Sequence, residues 1–394
     1  MLESIYIYDY YIEILELKKM NNPKIKILFL INTLTGGGAE KVLVDLVNNL
    51  NPEKYDVTVQ TVFDKGVNKK YLKPEIRYKT INRFQSELLT LIWGYLVSFV
   101  LPARLIYRIF IKENYDYEVA FLEGVPTKLI AASTNINSKK YAWVHTDMSM
   151  NYGLEKVFKT LEDHKRSYKQ FENIFCVSES VKEGFIKLFG WFENLSVIYN
   201  PVDNINILSK ANETLIEVAI PDCIKFVAIG RLTEQKGFER LLTACNKLVV
   251  EKYNFSLWVL GEGEQREVLE KYILNNNLQN HVFLLGFHEN PYKFIKAANY
   301  FVSSSYTEGF STVVTESVII GTPVITTDCA GMKEILGESE FGLIVPNSTE
   351  GLYEGLKKLL TNKEIYLKYN EAVKKRKDYF QLSQRMKEIE TEFK

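Results

Sequence analysis

The sequence predicts an α/β protein built from two doubly wound domains that face each other across a cleft. Three observations predict it. Short apolar runs alternate with amphipathic stretches along nearly the whole chain, the pattern of strand, crossover helix and parallel strand. The series halts once, at the polar residues 202–222, and restarts with the run Ile224–Ile229. The length, 394 residues, suits two domains that can each bury a sizeable core.

Ile25–Ile31 is a near-continuous apolar run, as a parallel strand covered on both faces should be. Residues 39–50 follow with Val42, Leu43, Leu46 and Val47 at helical spacing. Tyr55–Phe63 reads as a strand, and residues 117–122, 141–144, 174–177 and 195–199 continue the series, with helices at 154–171 and 180–189. Residues 202–222 read as irregular, with Asn204, Asn206, Ser209 and Asn212, so the domain boundary is placed there. The second series of strands runs through Ile224–Ile229, Phe255–Leu260, residues 281–285, Tyr300–Ser303, residues 323–326 and residues 342–345. Residues 363–394 read as a long, charged helical tail. The expected organisation is an extension over 1–22, a first domain over 23–203, a second over 204–375 and a terminal helix over 376–394. Glu3, Asp9, Glu13 and Glu16 interrupt any secretory apolar run at the start. Residues 1–19 are expected to be an extension or misplaced start, with an extra helix packed on the first domain as the alternative.

Hydrophobic residues at 46% and charged residues at 25% exclude a disordered chain, a collagen and a coiled coil. Lysines and arginines number 49 and acids 49, so bulk attraction to nucleic acid is not supported. Cys176, Cys223, Cys245 and Cys329 lack both CxxC spacing and the density of a disulfide framework, which fits a reducing cytoplasm. GxSxG and HExxH are absent, so neither a serine hydrolase nor a zinc site is expected. Residues 88–103 carry no charge but fall short of the roughly 20 residues that span a bilayer. Arg104, Arg108 and Lys112 then recur every fourth residue, on one helical face. Apolar surface beside a basic stripe suits peripheral contact with an anionic membrane; a core helix followed by a solvated one is the alternative.

Ligands in open α/β sheets bind beyond the carboxyl ends of the strands, so the cleft is where chemistry is expected. Gly36-Gly37-Gly38-Ala39-Glu40 lies between the first strand and the first helix, where glycines let a phosphate approach free helix N–H groups. A dinucleotide fingerprint fails there, because Lys41 stands where the third glycine is required, and no Walker GK[ST] follows. Gly230 to Gly237 follows the first strand of the second domain and carries Arg231 and Lys236, two cations near a helix start. Glu308 and Glu316 follow the strand Tyr300–Ser303, eight positions apart. On a helix beginning near Ser311 the first glutamate sits in the loop and the second on the second turn. Both suit sugar hydroxyls, while the amides of Phe310, Ser311 and Thr312 point at a phosphate.

Gly-Arg-Leu-x4-Gly, the Glu-x7-Glu box, the Gly-Gly-Gly-Ala-Glu turn and Tyr199-Asn200-Pro201-Val202-Asp203 together resemble glycosyltransferase family 4, over roughly residues 24–380. The stretches from Phe121 to Lys128 and from Trp143 to Asp147 are similar to bacterial members that build capsule, O-antigen or related surface glycans. The resemblance implies a GT-B fold of two Rossmann-like domains, with a terminal helix that crosses back to the first. It implies a retaining, metal-independent transferase with no cofactor, whose donor is a nucleotide sugar, expected here to be UDP-linked, and whose acceptor is a lipid-linked glycan. Arg231 and Lys236 would then hold the donor diphosphate, Glu316 the ribose and Glu308 the transferred sugar. Gly37 and Gly38 would border the phosphates, and His145 would sit near the sugar; Asp147 would either join it or cap its loop. The expected location is cytoplasmic, at the inner face of the membrane. A nucleotide-sugar epimerase, an ADP-sugar glycogen-type synthase and a non-catalytic glycan-binding scaffold on the same fold remain the alternatives.

Overall fold

The computed structural model describes residues 23–82, 84, 86–150, 157–218 and 222–394. The expected extension over 1–22 lies outside the described residues, as does the first part of the helix expected from 154.

Two parallel sheets form the two halves. In the first, β1 (Ile25–Ile31), β2 (Tyr55–Phe63), β3 (Arg77–Asn82), β4 (Tyr117–Ala120), β5 (Lys139–Val144), β6 (Asn173–Cys176) and β7 (Leu195–Val197) lie in the order β3-β2-β1-β4-β5-β6-β7. In the second, β8 (Ile224–Ile229), β9 (Phe255–Leu260), β10 (Val282–Gly286), β11 (Tyr300–Ser303), β12 (Val324–Thr327) and β13 (Leu343–Val345) lie in the order β10-β9-β8-β11-β12-β13. The strand order reverses between β1 and β4 and again between β8 and β11. Each reversal leaves a crevice where the connecting helices part to opposite faces. This is the expected GT-B arrangement. The reason is local: Ile27 to Ile31 are wholly buried in mid-sheet, and Val42, Leu43, Val44, Leu46 and Val47 of the Gly38–Asn49 helix cover one face.

The chain closes on itself as expected of the fold. The Leu382–Glu392 helix returns to the first sheet, where Phe393 is buried among the rings of Phe29, Tyr55, Tyr117 and Tyr141. The Tyr141 hydroxyl donates to the Glu392 carbonyl at 2.9 Å.

Several local expectations are corrected. Residues 202–222 are not irregular throughout, because Asp203 caps a helix over Asn204–Ala211 by accepting from the Asn206 N–H at 3.0 Å. Ile207 and Ala211, four apart, supply the buried face that a window rich in Asn and Ser obscures. The tail is two helices, Lys363–Arg376 and Leu382–Glu392, parted by a 3-10 turn over Lys377–Phe380. The helix expected over 154–171 starts only at Leu161, where Thr160 accepts from Asp163 N–H. β3 was not expected. It is an edge strand whose Arg77 and Lys79 pair with Asp56 and Glu113, and its charges hide the alternation.

The uncharged run does not become a core helix. It forms the Glu87–Tyr95 helix, a wider turn over Leu96–Val100 and, after Pro102, the Ala103–Phe110 helix. Trp93 turns inward against Phe110, while Leu88, Leu91, Tyr95 and Val100 are each more than half exposed. Arg104 and Arg108 share the exposed side of the second helix, but Lys112 lies two residues past its end, so the three-residue stripe is broken.

Candidate active site

The second sheet contributes two neighbouring loops, after β8 and β11. Gly237 adopts a positive φ of 62°, and a Cβ there would stand 2.3 Å from the Ser304 carbonyl, so only glycine lets the loops touch this closely. Hydrogen bonds stitch them together: Tyr306 N–H donates to the Gln235 carbonyl at 2.8 Å, and Ser304 Oγ to the Lys236 carbonyl at 2.9 Å. Arg240, buried, donates to the Ser304 and Ser305 carbonyls and lies 3.8 Å over the Tyr306 ring. The result is a fixed pair of functional groups. Lys236 Nζ donates to Glu308 Oε1 at 2.6 Å, and Ser305 Oγ donates to the same oxygen at 2.6 Å. Arg231 is exposed at the end of β8 and makes no ion pair among the described residues. Ser311 caps the Thr312–Ile320 helix, which puts Phe310, Ser311 and Thr312 at its N-terminus and Glu316 on its second turn, as the spacing predicted.

The first sheet contributes two loops opposite. Gly37 caps the Gly38–Asn49 helix in extended conformation, and a Cβ on Gly38 would lie 3.0 Å from Thr312 Oγ1. Two helix N-termini, one from each half, therefore meet at the crevice, each presenting free N–H groups and the positive end of its dipole. His145 lies just past β5, beside the Glu308 loop. A Cβ on Gly309 would fall 1.8 Å from the His145 carbonyl, so the backbones are in contact. Asp147 accepts from Ser149 N–H at 2.9 Å and from Ser149 Oγ at 2.8 Å, and so turns its own loop. It also lines an interdomain cavity of about 400 Å³ shared with Glu183, Lys187, Tyr306, Asp328 and Lys333.

Burial sets the charge states. The His145 imidazole leans on Phe121 with ring centres 4.8 Å apart, and its Nε2 is enclosed without a hydrogen-bond partner among the described residues. Burial pushes its pKa down to about 3, so the ring is neutral at pH 7.

Three residues that sequence reasoning did not assign complete the site. Glu123 is buried after β4, and its Oε1 accepts from the N–H groups of His145 at 2.6 Å and Thr146 at 2.8 Å. That anchors the loop carrying His145, and desolvation pushes the Glu123 carboxyl upward. Its signal was a carboxylate directly after an apolar strand. Glu334 reaches from the second half to accept from Glu179 N–H at 2.9 Å, Ser180 N–H at 3.2 Å and Tyr199 OH at 2.9 Å, capping a helix of the first half. Lys41 crosses the crevice the other way, donating to Glu316 and to the Tyr292 hydroxyl. Burial acts to lower the Lys41 pKa, but Glu316, Tyr292 and Asp45 outweigh it and raise it, so the ammonium stays charged. The neighbouring Asp45 is pushed up to about 6 by burial, against the pull of Lys41.

Residues 36–204 match the family model Glycosyltransferase Family 4, and residues 216–376 match Glycosyl transferases group 1. Together the two matches take in most of the chain. An uncharacterized glycosyltransferase of Methanocaldococcus jannaschii is 35% identical over 234 residues, 57% of either chain. The N-acetylgalactosamine-N,N'-diacetylbacillosaminyl-diphospho-undecaprenol 4-alpha-N-acetylgalactosaminyltransferase of Campylobacter jejuni is 36% identical over 187 residues, 47% of this chain and 49% of that one. The chain thus spans about half the length of these curated relatives. Among solved structures, Anabaena HepE in complex with UDP and glucose superposes with a TM-score of 0.74 at 17% identity, over 93% of this chain and 98% of that one.

Proposed function

This chain belongs to glycosyltransferase family 4, and from that premise we propose that it transfers a hexose or N-acetylhexosamine from a UDP-linked donor to a lipid-linked glycan, of the kind built into bacterial surface polysaccharides. Transfer proceeds with retention and without a metal ion. One observation carries the reading: Lys236 with Glu308, Glu316, the Gly37–Gly38 turn and the His145 loop converge on one crevice at the switch points of both sheets. Arg231 and Lys236 hold the diphosphate and stabilise it as it leaves. In a metal-free site that task falls to side-chain cations and to the N–H groups at Gly38 and Thr312. Glu316 accepts from the ribose hydroxyls and Glu308 from the transferred sugar. Neutral His145 sits beside that sugar without adding charge. Glu308 is engaged by Lys236 and Ser305, and Glu123 by two backbone amides, so a front-face, oxocarbenium-like path fits better than a covalent one.

The lipid-linked acceptor is supported by the diphospho-undecaprenol-linked sugar in the name of the Campylobacter relative and by the exposed apolar stripe of Leu88, Leu91, Tyr95 and Val100 beside Arg104 and Arg108. Among the described residues no helix is long and apolar enough to cross a membrane, so contact through this stripe is peripheral.

A thermal-shift panel of nucleotide sugars tests the donor, since a true donor stabilises the fold by mass action. UDP-sugars should raise the melting temperature, and UDP should appear only when a lipid-linked acceptor is added, with or without EDTA. Sugar interconversion without acceptor would instead identify an epimerase, and stabilisation by ADP-glucose a glycogen-type synthase. No response to any nucleotide would leave a scaffold.

A further inference from the structure

The reading above gives Glu316 to the ribose, yet Glu316 is already engaged. Its side chain is 5% exposed, and Oε1 accepts from the ammonium of Lys41, which projects from the Gly38–Asn49 helix of the opposite half. The same ammonium donates to the hydroxyl of Tyr292, whose ring centre lies 5.0 Å away. Asp45, one turn along the same helix, adds a second carboxylate to the cluster. A charge-assisted hydrogen bond in a water-poor crevice is stronger than one from a ribose hydroxyl. A carboxylate oxygen that is held by an ammonium is correspondingly a weaker acceptor for that hydroxyl.

We propose that Lys41 and the ribose of a nucleoside diphosphate compete for the Glu316 carboxylate, so that Lys41 is a positioning residue which latches the two halves and is displaced when the nucleotide binds. The proposal rests on the assignment of Glu316 to the ribose. Two consequences follow from the competition. Nucleotide binding loosens the helix Gly38–Asn49 from the second half at this point, while the Glu334 contacts at the other side of the cleft are untouched. When UDP departs after transfer, Lys41 recaptures Glu316 and opposes rebinding, which favours product release.

Titration calorimetry with UDP on four proteins tests this: wild type, Lys41→Met, Glu316→Gln and the double variant. Lys41→Met should bind UDP about tenfold more tightly, the effect of removing one competing charge-assisted hydrogen bond. In the Glu316→Gln background the same change should alter affinity little, because the contested carboxylate is gone. That interaction between the two sites separates the latch from a general packing effect, which would move both backgrounds alike. Lys41→Arg should restore affinity close to wild type, and stopped-flow release of UDP should be slower from Lys41→Met. Weaker or unchanged UDP binding by Lys41→Met, with Glu316 intact, overturns the latch while leaving the transferase reading in place. Failure of the wild type to bind UDP overturns that reading, and the latch with it.

Discussion

The turns after β1 and after β8 occupy the same topological place in the two sheets, and they carry opposite chemistry. The turn of the first half, Gly36 to Gly38, brings backbone and no cation of its own, and the nearby His145 is held neutral by burial. The turn of the second half carries Arg231 and Lys236, and the next loop carries the glutamates. The two glutamates are matched differently as well. Glu308 pairs with Lys236 of its own half, whereas Glu316 pairs with Lys41 from across the cleft. One half supplies Lys236 paired with Glu308, and the other supplies close backbone approach and the movable cation Lys41.

If that division is right, substitutions on the charged half should cost most. Lys236→Ala and Arg231→Ala are each expected to lower kcat by about 10²–10³-fold, the usual loss when one group that stabilises developing charge is removed. Circular dichroism and melting temperature should change little in Arg231→Ala, whose side chain is exposed, whereas Lys236→Ala leaves the buried Glu308 carboxylate without its ammonium and should also lower the melting temperature. Near-normal turnover in both variants would move the diphosphate elsewhere.

The glutamates sharpen the contrast within that half. Glu316→Gln should weaken free UDP and donor alike. Glu308→Gln should spare UDP affinity and lower transfer by at least about tenfold, as loss of a charged hydrogen-bond acceptor does. Equal losses of UDP affinity, read by calorimetry, would mean that the two roles are misassigned.

On the backbone side, Gly309→Ala puts a methyl into the His145 carbonyl, 1.8 Å away, and neither backbone can yield cheaply. A destabilisation of about 1–3 kcal/mol, typical of overpacking, is expected in urea unfolding, together with reduced transfer. A variant as stable and active as wild type would show that the halves do not need to meet there.

The last expectation concerns the neutral imidazoles, which are read through stability rather than turnover. His145 and His164 are both held to about pKa 3 by burial, against about 6.5 when unfolded. Below pH 6.5 the unfolded chain therefore binds more protons than the folded one, and stability falls as the pH drops toward 3. Between pH 6.5 and 5 each histidine costs up to about 2 kcal/mol. Urea midpoints at pH 7 and pH 5 for wild type and His145→Gln separate the two rings, and an equal pH shift in both proteins would mean that burial does not hold His145 neutral.

Much of the site was legible because its signals are local. Glycines after a strand, cations near a helix start and two glutamates eight apart can each be read within one short stretch of chain. Glu123 and Arg240 were not, since a lone charge after an apolar run says nothing about which amides or carbonyls it will meet. The helix at Asn204–Ala211 was hidden by a polar composition, although Asp203 and the Ile207–Ala211 spacing were present.

The sequence by itself determined the alternation of strand and helix, the two-domain plan and the loops that carry the chemistry, because periodicity and turn residues act over a few positions. Only the tertiary structure decided that Lys41 meets Glu316, 275 residues away, and that Glu334 caps a helix of the other half. It likewise turned the uncharged run outward, with Trp93 inside and Leu88 and Tyr95 exposed. These outcomes depend on strand order and on how the two sheets are apposed. Both are set by the burial of the whole core, which no short window of sequence contains.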